Sequence, residues 1–269
     1  TERKNLNFTY RLFFLIFLFL LSLMSGCSSE KELSTDVKYS QPRVIAEYPH
    51  DANAFTQGLE FSNERLFEST GLFGESSIRE ISLKSGVILE SEMLDPNLFG
   101  EGITFLDKNR ILQLTWKSGK ALVWELDPLE LVDIWEYEGQ GWGVCLSGDK
   151  RLVMSDGSDS LFFRDPETFE IIDSIHVTLK GEKIHNLNEL ECDGGKVWAN
   201  VWQTDQIVGI DLSTGFVTDV LDLSKLPINR DSLNSGAVLN GVARMPDSNN
   251  FLISGKLWPK IFEVDFNNQ

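Results

Sequence analysis

Arg65-Leu66-Phe67-Glu68-Ser69 decides the fold, because the stretch returns. Arg110-Ile111-Leu112-Gln113-Leu114, Arg151-Leu152-Val153-Met154-Ser155, Lys196-Val197-Trp198-Ala199-Asn200 and Asn250-Phe251-Leu252-Ile253-Ser254 restart the same pattern at intervals of 45, 41, 45 and 54 residues. A period of roughly 40–50 residues holding several short strands is the mark of a β-propeller. Turn signals such as Ser62-Asn63 and Lys84-Ser85-Gly86 divide each repeat into four strands. The predicted fold is all-β, a five-bladed β-propeller with four-stranded blades. The fifth repeat supplies only three strands, and closed folds avoid an unpaired edge. Arg43-Val44-Ile45-Ala46-Glu47-Tyr48 is strand-like and precedes the first repeat. It is expected to complete the fifth blade and close the ring.

Outward from the repeats, the totals set limits. The chain has 269 residues, 42% of them hydrophobic, enough for one large core. A net charge of −17, from 24 basic and 41 acidic residues, excludes a nucleic-acid partner, which needs a basic footprint. Arg3, Lys4 and Arg11 precede an apolar run from Leu12 to Met24, short for a membrane span and suited to a signal segment. Leu23-Met24-Ser25-Gly26-Cys27 resembles a bacterial lipobox, with Cys27 as the lipidated residue. The expected organisation is a lipoprotein-type signal over 1–27, a flexible tether over 28–41 and a catalytic propeller over 42–269. The expected location is the bacterial cell envelope, with a lipid anchor on the membrane. Cys145 and Cys192 fall out of phase in adjacent repeats and are predicted as separate buried small apolar residues.

In an up-and-down blade, the start of the innermost strand and the end of the next lie at the same mouth of the axis. The starts read Gln57-Gly58, Glu101-Gly102, Trp142-Gly143, Asn188-Glu189 and Asn240-Gly241. The ends of the second strands add Trp116, Trp202 and Lys256. One carboxylate, one ammonium, three indoles and several amides converging on one mouth make a plausible active site. Aromatic walls raise the pKa of Glu101 and Lys256 opposes the shift, so sequence leaves the net sign open. His50, His176 and His185 have no metal-ligand spacing. No Walker, dinucleotide or nucleophile-elbow motif is present.

Ala54-Phe55-Thr56-Gln57-Gly58-Leu59, Phe99-Gly100-Glu101-Gly102-Ile103, Gly141-Trp142-Gly143, Asn186-Leu187-Asn188-Glu189-Leu190, Asn200-Val201-Trp202-Gln203-Thr204-Asp205 and Gly255-Lys256-Leu257-Trp258-Pro259-Lys260 are similar to segments of the plant-type and bacterial glutaminyl cyclases. The resemblance spans about residues 43–266 and touches every repeat. Phe67 and Phe73 stand where Tyr is common. The resemblance implies a five-bladed propeller that converts an N-terminal glutaminyl residue to pyroglutamate with release of ammonia. It implies Glu101 as the catalytic carboxylate and Phe55, Gln57, Trp116, Trp142, Asn188, Trp202 and Lys256 as substrate-binding residues. No cofactor is required on this reading, and a structural cation on the propeller axis is left open. The expected partners are peptides or proteins with N-terminal Gln, and the protein is expected to be a monomer. The competing expectation is a non-catalytic envelope propeller that binds peptide ends or protein partners.

Overall fold

A computed structural model describes residues 36–62 and 64–266. The signal segment, Cys27 and the tether up to residue 35 lie outside the described residues.

The strands form five antiparallel blades. From inside outward, blade one is Thr56–Ser62, Arg65–Thr70, Ser77–Ile81 and Ile88–Met93. Blade two is Gly100–Phe105, Arg110–Thr115, Lys120–Leu126 and Leu129–Glu136. Blade three is Val144–Leu146, Leu152–Ser155, Ser160–Arg164 and Ile171–His176. Blade four is Leu187–Asp193, Lys196–Val201, Gln206–Asp211 and Val217–Asp222. In blade five, Leu239–Arg244, Asn250–Gly255 and Lys260–Asp265 are joined on the outside by Arg43–Pro49. That last strand runs antiparallel to Lys260–Asp265, with Arg43 opposite Asp265 and Pro49 opposite Lys260. The N-terminal strand therefore closes the ring.

Apolar side chains seal each blade against the next. Phe67 and Ile78 of blade one meet Ile103, Ile111 and Trp124 of blade two. Leu59 and Leu66 meet Leu252 and Ile261 across the closure between blades one and five. The remaining junctions are built alike. Repeating the strand pattern repeats the seam, so one short sequence motif specifies the whole architecture.

The axis is crowded, which explains the repeated glycines. A Cβ on Gly102 would lie 2.8 Å from Gly143 Cα, and one on Gly143 would lie 2.1 Å from the Asn188 carbonyl oxygen. In blade four Glu189 takes the glycine's place. Its carboxylate accepts hydrogen bonds from the backbone N–H of Val242 at 2.7 Å and of Leu59 at 3.3 Å, bridging three blades.

Two expectations are corrected. Lys38–Ser40, assigned to the tether by composition, forms a strand parallel to Val217–Asp222 at the outer edge of blade four. The preceding Val37 is buried in the seam between blades three and four. The apolar Val37 anchors a segment that is otherwise polar. Cys145 and Cys192 are joined by a disulfide, with Cα atoms 5.5 Å apart. They sit on the innermost strands of adjacent blades, and the blade-four strand carries a register shift between Leu187 and Leu190. Adjacent blades pack face to face, so residues on opposite faces of equivalent strands meet across the seam, and the out-of-phase placement that argued against pairing is what brings the two sulfurs together.

Candidate active site

The inner ladders are irregular at one end only. Register shifts fall between Thr56 and Gly58, Gly100 and Ile103, Leu187 and Leu190, and Leu239 and Val242. Gln57, Glu101, Asn188 and Asn240 lie within these interruptions. A bulge frees a residue from the ladder and re-aims its side chain, often beside an active site. Three of the four turn toward the axis mouth.

One further rung follows the end of the second strand in several blades. Gly71 N–H donates to Phe55 O at 2.8 Å, Trp116 to Phe99 O at 3.0 Å, Trp202 to Asn186 O at 2.9 Å and Lys256 to Val238 O at 2.8 Å. These bonds hold Trp116, Trp202 and Lys256 at the same mouth as the bulged residues. A cavity of about 310 Å³ opens there, and Phe55, Gln57, Glu101, Trp116, Trp142, Asn188, Trp202 and Lys256 all line it. Asn240 does not. It is fully buried, and its Nδ2 donates to Thr56 O at 3.0 Å, so it braces the wall from behind.

The walls are aromatic. Trp142 and Trp202 meet edge to face with ring centroids 5.5 Å apart, and Phe99 lies against Trp116 at 5.6 Å. Trp116 and Trp142 both direct their indole N–H at Gln140 Oε1, at 2.8 and 3.3 Å. Trp202 makes no such bond among the described residues, which leaves its indole donor for a ligand. Asn188 Oδ1 is buried with no hydrogen-bond partner. Gln57 has its Oε1 near Asn240 Nδ2 at 3.4 Å.

At the centre are two charges without a shell. Glu101 and Lys256 are each 4% exposed. Among the described residues neither makes a side-chain hydrogen bond or an ion pair. Lys256 Nζ stands 5.0 Å from the centroid of the Phe55 ring. Burial pushes the Glu101 carboxyl well above the usual carboxylate range, and Lys256 opposes that only in part. Burial pushes Lys256 down to about 8, with Glu101 opposing. The sign left open by sequence is upward, because desolvation outweighs one imperfectly placed countercharge.

A family model described as Glutamine cyclotransferase matches residues 18–266. The chain belongs to the glutamine cyclotransferase family. A curated Arabidopsis thaliana relative named glutaminyl-peptide cyclotransferase is 39% identical over 256 residues, covering 93% of this chain and 79% of the relative. The crystal structure of Myxococcus xanthus glutaminyl cyclase aligns with a TM-score of 0.78 at 38% identity, covering 85% of this chain and 97% of that one.

Sequence reasoning missed five lining residues: Leu72, Phe99, Gln203, Gly236 and Val238. Phe99 stands two residues before Glu101, within a segment that already marked the site. Leu72 and Gln203 directly follow strand-end positions used above, and both take positive φ values, of 85° and 66°. Gly236 and Val238 come from the connection between blades four and five. Val238 holds the position of Phe55 and Phe99 in its blade, two residues before Asn240, so extending the register comparison by two residues reaches it; Gly236 lies outside the shared register.

Proposed function

We infer that this protein cyclises N-terminal glutaminyl residues of peptides or proteins to pyroglutamate and releases ammonia. The observation that carries the mechanism is a lone buried carboxyl of raised pKa in an aromatic cavity. A carboxyl whose pKa burial has raised takes up a proton more readily than an ordinary carboxylate and can return it, as general acid–base catalysis requires.

In the proposed reaction the α-amine nitrogen attacks the γ-carboxamide carbon of its own residue. Glu101 takes a proton from the attacking amine and returns one to the departing nitrogen. A ring C–N bond forms, the bond between the carboxamide carbon and its own nitrogen breaks, and ammonia leaves. Because the attack is intramolecular, the pocket's main task is to hold the glutamine side chain folded back on the amine. The Phe55, Trp116, Trp142 and Trp202 walls suit that shape. The oxyanion that develops on the carboxamide oxygen needs donors, and the free indole N–H of Trp202 and the Lys256 ammonium are the nearest fits. Asn188 Oδ1, an acceptor without a partner, is placed to orient the substrate amine.

The test is ammonia release from a Gln-initiated dipeptide, compared with the same dipeptide carrying Glu. Turnover of the first supports the reading. Binding of peptide ends without ammonia release would favour a non-catalytic propeller. The proposed chemistry uses protons and dipoles alone, so initial rates should survive prolonged zinc-selective chelation. Activity that vanishes on chelation and returns specifically with zinc would overturn it.

We further propose that the protein acts as a monomer, since one copy supplies every lining residue. We place it in the bacterial cell envelope, anchored through lipid on Cys27. The sequence around Cys27 supports this, as does the Cys145–Cys192 disulfide, a bond that persists in oxidising compartments. A Cys27→Ala variant should lose both metabolic fatty-acid labelling and membrane fractionation.

A further inference from the structure

Beside the cavity lies a second buried charge cluster that the proposed chemistry does not use. Glu68, in the second strand of blade one, is fully buried. Its Oε2 accepts two hydrogen bonds from Arg79, at Nε 2.9 Å and Nη2 2.7 Å. Its Oε1 accepts from Thr56 Oγ1 at 2.6 Å and faces His50 Nε2 at 3.0 Å. Arg79 Nη1 continues to Asp51 Oδ2 at 3.1 Å. Both oxygens of the carboxylate are therefore saturated, and a charge this deep persists only when so compensated.

The network reaches both walls of the cavity. Thr56 lies between Phe55 and Gln57, two lining residues. His50 Nδ1 is 2.7 Å from Trp258 O, and His50 N–H donates to Pro259 O at 3.0 Å. Leu257 N–H donates to Ala54 O at 2.6 Å, and Thr56 Oγ1 lies 3.5 Å from Gly255 O. The turn 255–259, which carries Lys256, is thus pinned on both sides of that residue to the segment 50–56. The turn has little slack. Leu257 takes a φ of 60°, and a Cβ on Gly255 would meet the Trp258 ring at 2.3 Å. Lys256 itself has no side-chain hydrogen bond among the described residues, so its backbone anchorage sets where its ammonium stands relative to Glu101.

We propose that Glu68, acting through His50 and Thr56 and braced by Arg79, is a positioning residue for the reaction: it holds the Lys256 turn and the Phe55–Gln57 wall in register. The proposal rests on the cyclase reading for its kinetic consequence but not for its structural one. Because Arg43–Pro49 leads directly into His50, the strand that closes the ring also sets one side of the active site. A misplacement of about 1 Å at a reacting group can lower a rate by about 10²-fold, so this network should register in kcat.

The experiment compares Glu68→Gln, His50→Gln and the near-isosteric Thr56→Val with wild type, each well below its thermal midpoint. The expected result is a fall in kcat of about 10-fold for Thr56→Val, rising to about 10²-fold for Glu68→Gln, with KM changed much less. A Cys145→Ser/Cys192→Ser double variant provides the control: neither cysteine lines the cavity, so its midpoint should drop while kcat holds. The second readout is the titration of the Lys256 amine after 13C reductive methylation, which requires no turnover. The groups facing Lys256 and the network are Glu101, Glu68, Arg79, Asp51 and His50. Loosening the turn hydrates Lys256, so its titration should move up toward the ordinary lysine range in Thr56→Val and Glu68→Gln. If Glu68→Gln does not fold, Thr56→Val and His50→Gln decide. If wild type releases no ammonia, the cyclase reading fails and the Lys256 titration alone decides the positioning role. Folded variants with wild-type kcat and an unmoved Lys256 titration would overturn the proposal.

Discussion

Glu68 and Glu101 are both buried carboxyls on neighbouring blades, and their surroundings drive them in opposite directions. Burial alone would raise both. Around Glu68, His50, Arg79 and Thr56 more than offset burial and hold its pKa at about 2. Around Glu101 the countercharge is Lys256 by itself, and burial prevails. The first arrangement saturates both oxygens and belongs to the architecture. The second leaves its oxygens to whatever enters the cavity. Within one fold, then, the completeness of the hydrogen-bond shell separates a structural carboxylate from a chemical one.

The comparison breaks first on rate. Glu101→Gln should lower turnover by about 10²–10⁴-fold, the usual cost of losing a general acid–base group, with little loss of stability. Ammonia release by the purified, folded variant at close to wild-type rate would show that the proton moves elsewhere.

Glu68→Gln should be costly in stability. Removing one partner of a buried ion pair costs about 3–5 kcal/mol, because the other charge is left uncompensated. Denaturant midpoints for Glu68→Gln and Glu101→Gln compared side by side check the contrast; equal losses would erase it.

The pH dependence of stability should bend opposite ways at the two sites. The folded pKa of Glu68 is depressed, so its contribution is present above about 4.5, the ordinary carboxyl range, and is lost as pH falls through about 2. The folded pKa of Glu101 is raised, so its contribution is present below the ordinary range and is lost as pH rises through the elevated value. Glu68→Gln should therefore flatten the acid side of a plot of midpoint against pH. Glu101→Gln should flatten the side above the ordinary carboxyl range. The reverse assignment would contradict both shells.

The finest test concerns the pair at the cavity centre. Lys256→Met removes the one group that lowers the Glu101 pKa, so the acid limb of kcat/KM should move to higher pH. An unmoved limb in the residual activity would mean that Lys256 does not sense Glu101.

Much of this was legible in the sequence. Five restarts of one strand motif specify five blades, and a three-stranded last repeat calls for the N-terminal strand. Comparing equivalent positions gathers Gln57, Glu101, Trp142, Asn188, Trp116, Trp202 and Lys256, because a closed ring brings equivalent strand ends to one mouth. That logic depends only on periodicity, which survives without coordinates. It stops where periodicity stops. Gly236 sits in the long connection between blades four and five, outside the shared register, and Lys38–Ser40 is too short and polar to announce itself as a strand.

Tertiary structure alone decided what depends on exact registration. The facing of adjacent blades brought Cys145 and Cys192 together across a seam, and the hydrogen bond from Asn240 to Thr56 O keeps that amide behind the cavity wall. Three-dimensional burial set the direction of the Glu101 shift, because desolvation depends on everything packed around a group and not on its neighbours in sequence. The role of Glu68 was hidden for the same reason. It lies in the repeat motif itself, at the position held by Gln113, Met154, Ala199 and Ile253 in the other blades, where the sequence shows a charge but not its partners. Only the packed ring brings His50 from before the repeats and Thr56 and Arg79 from the same blade to one carboxylate, and the Trp258 carbonyl from the far end of the sequence to His50.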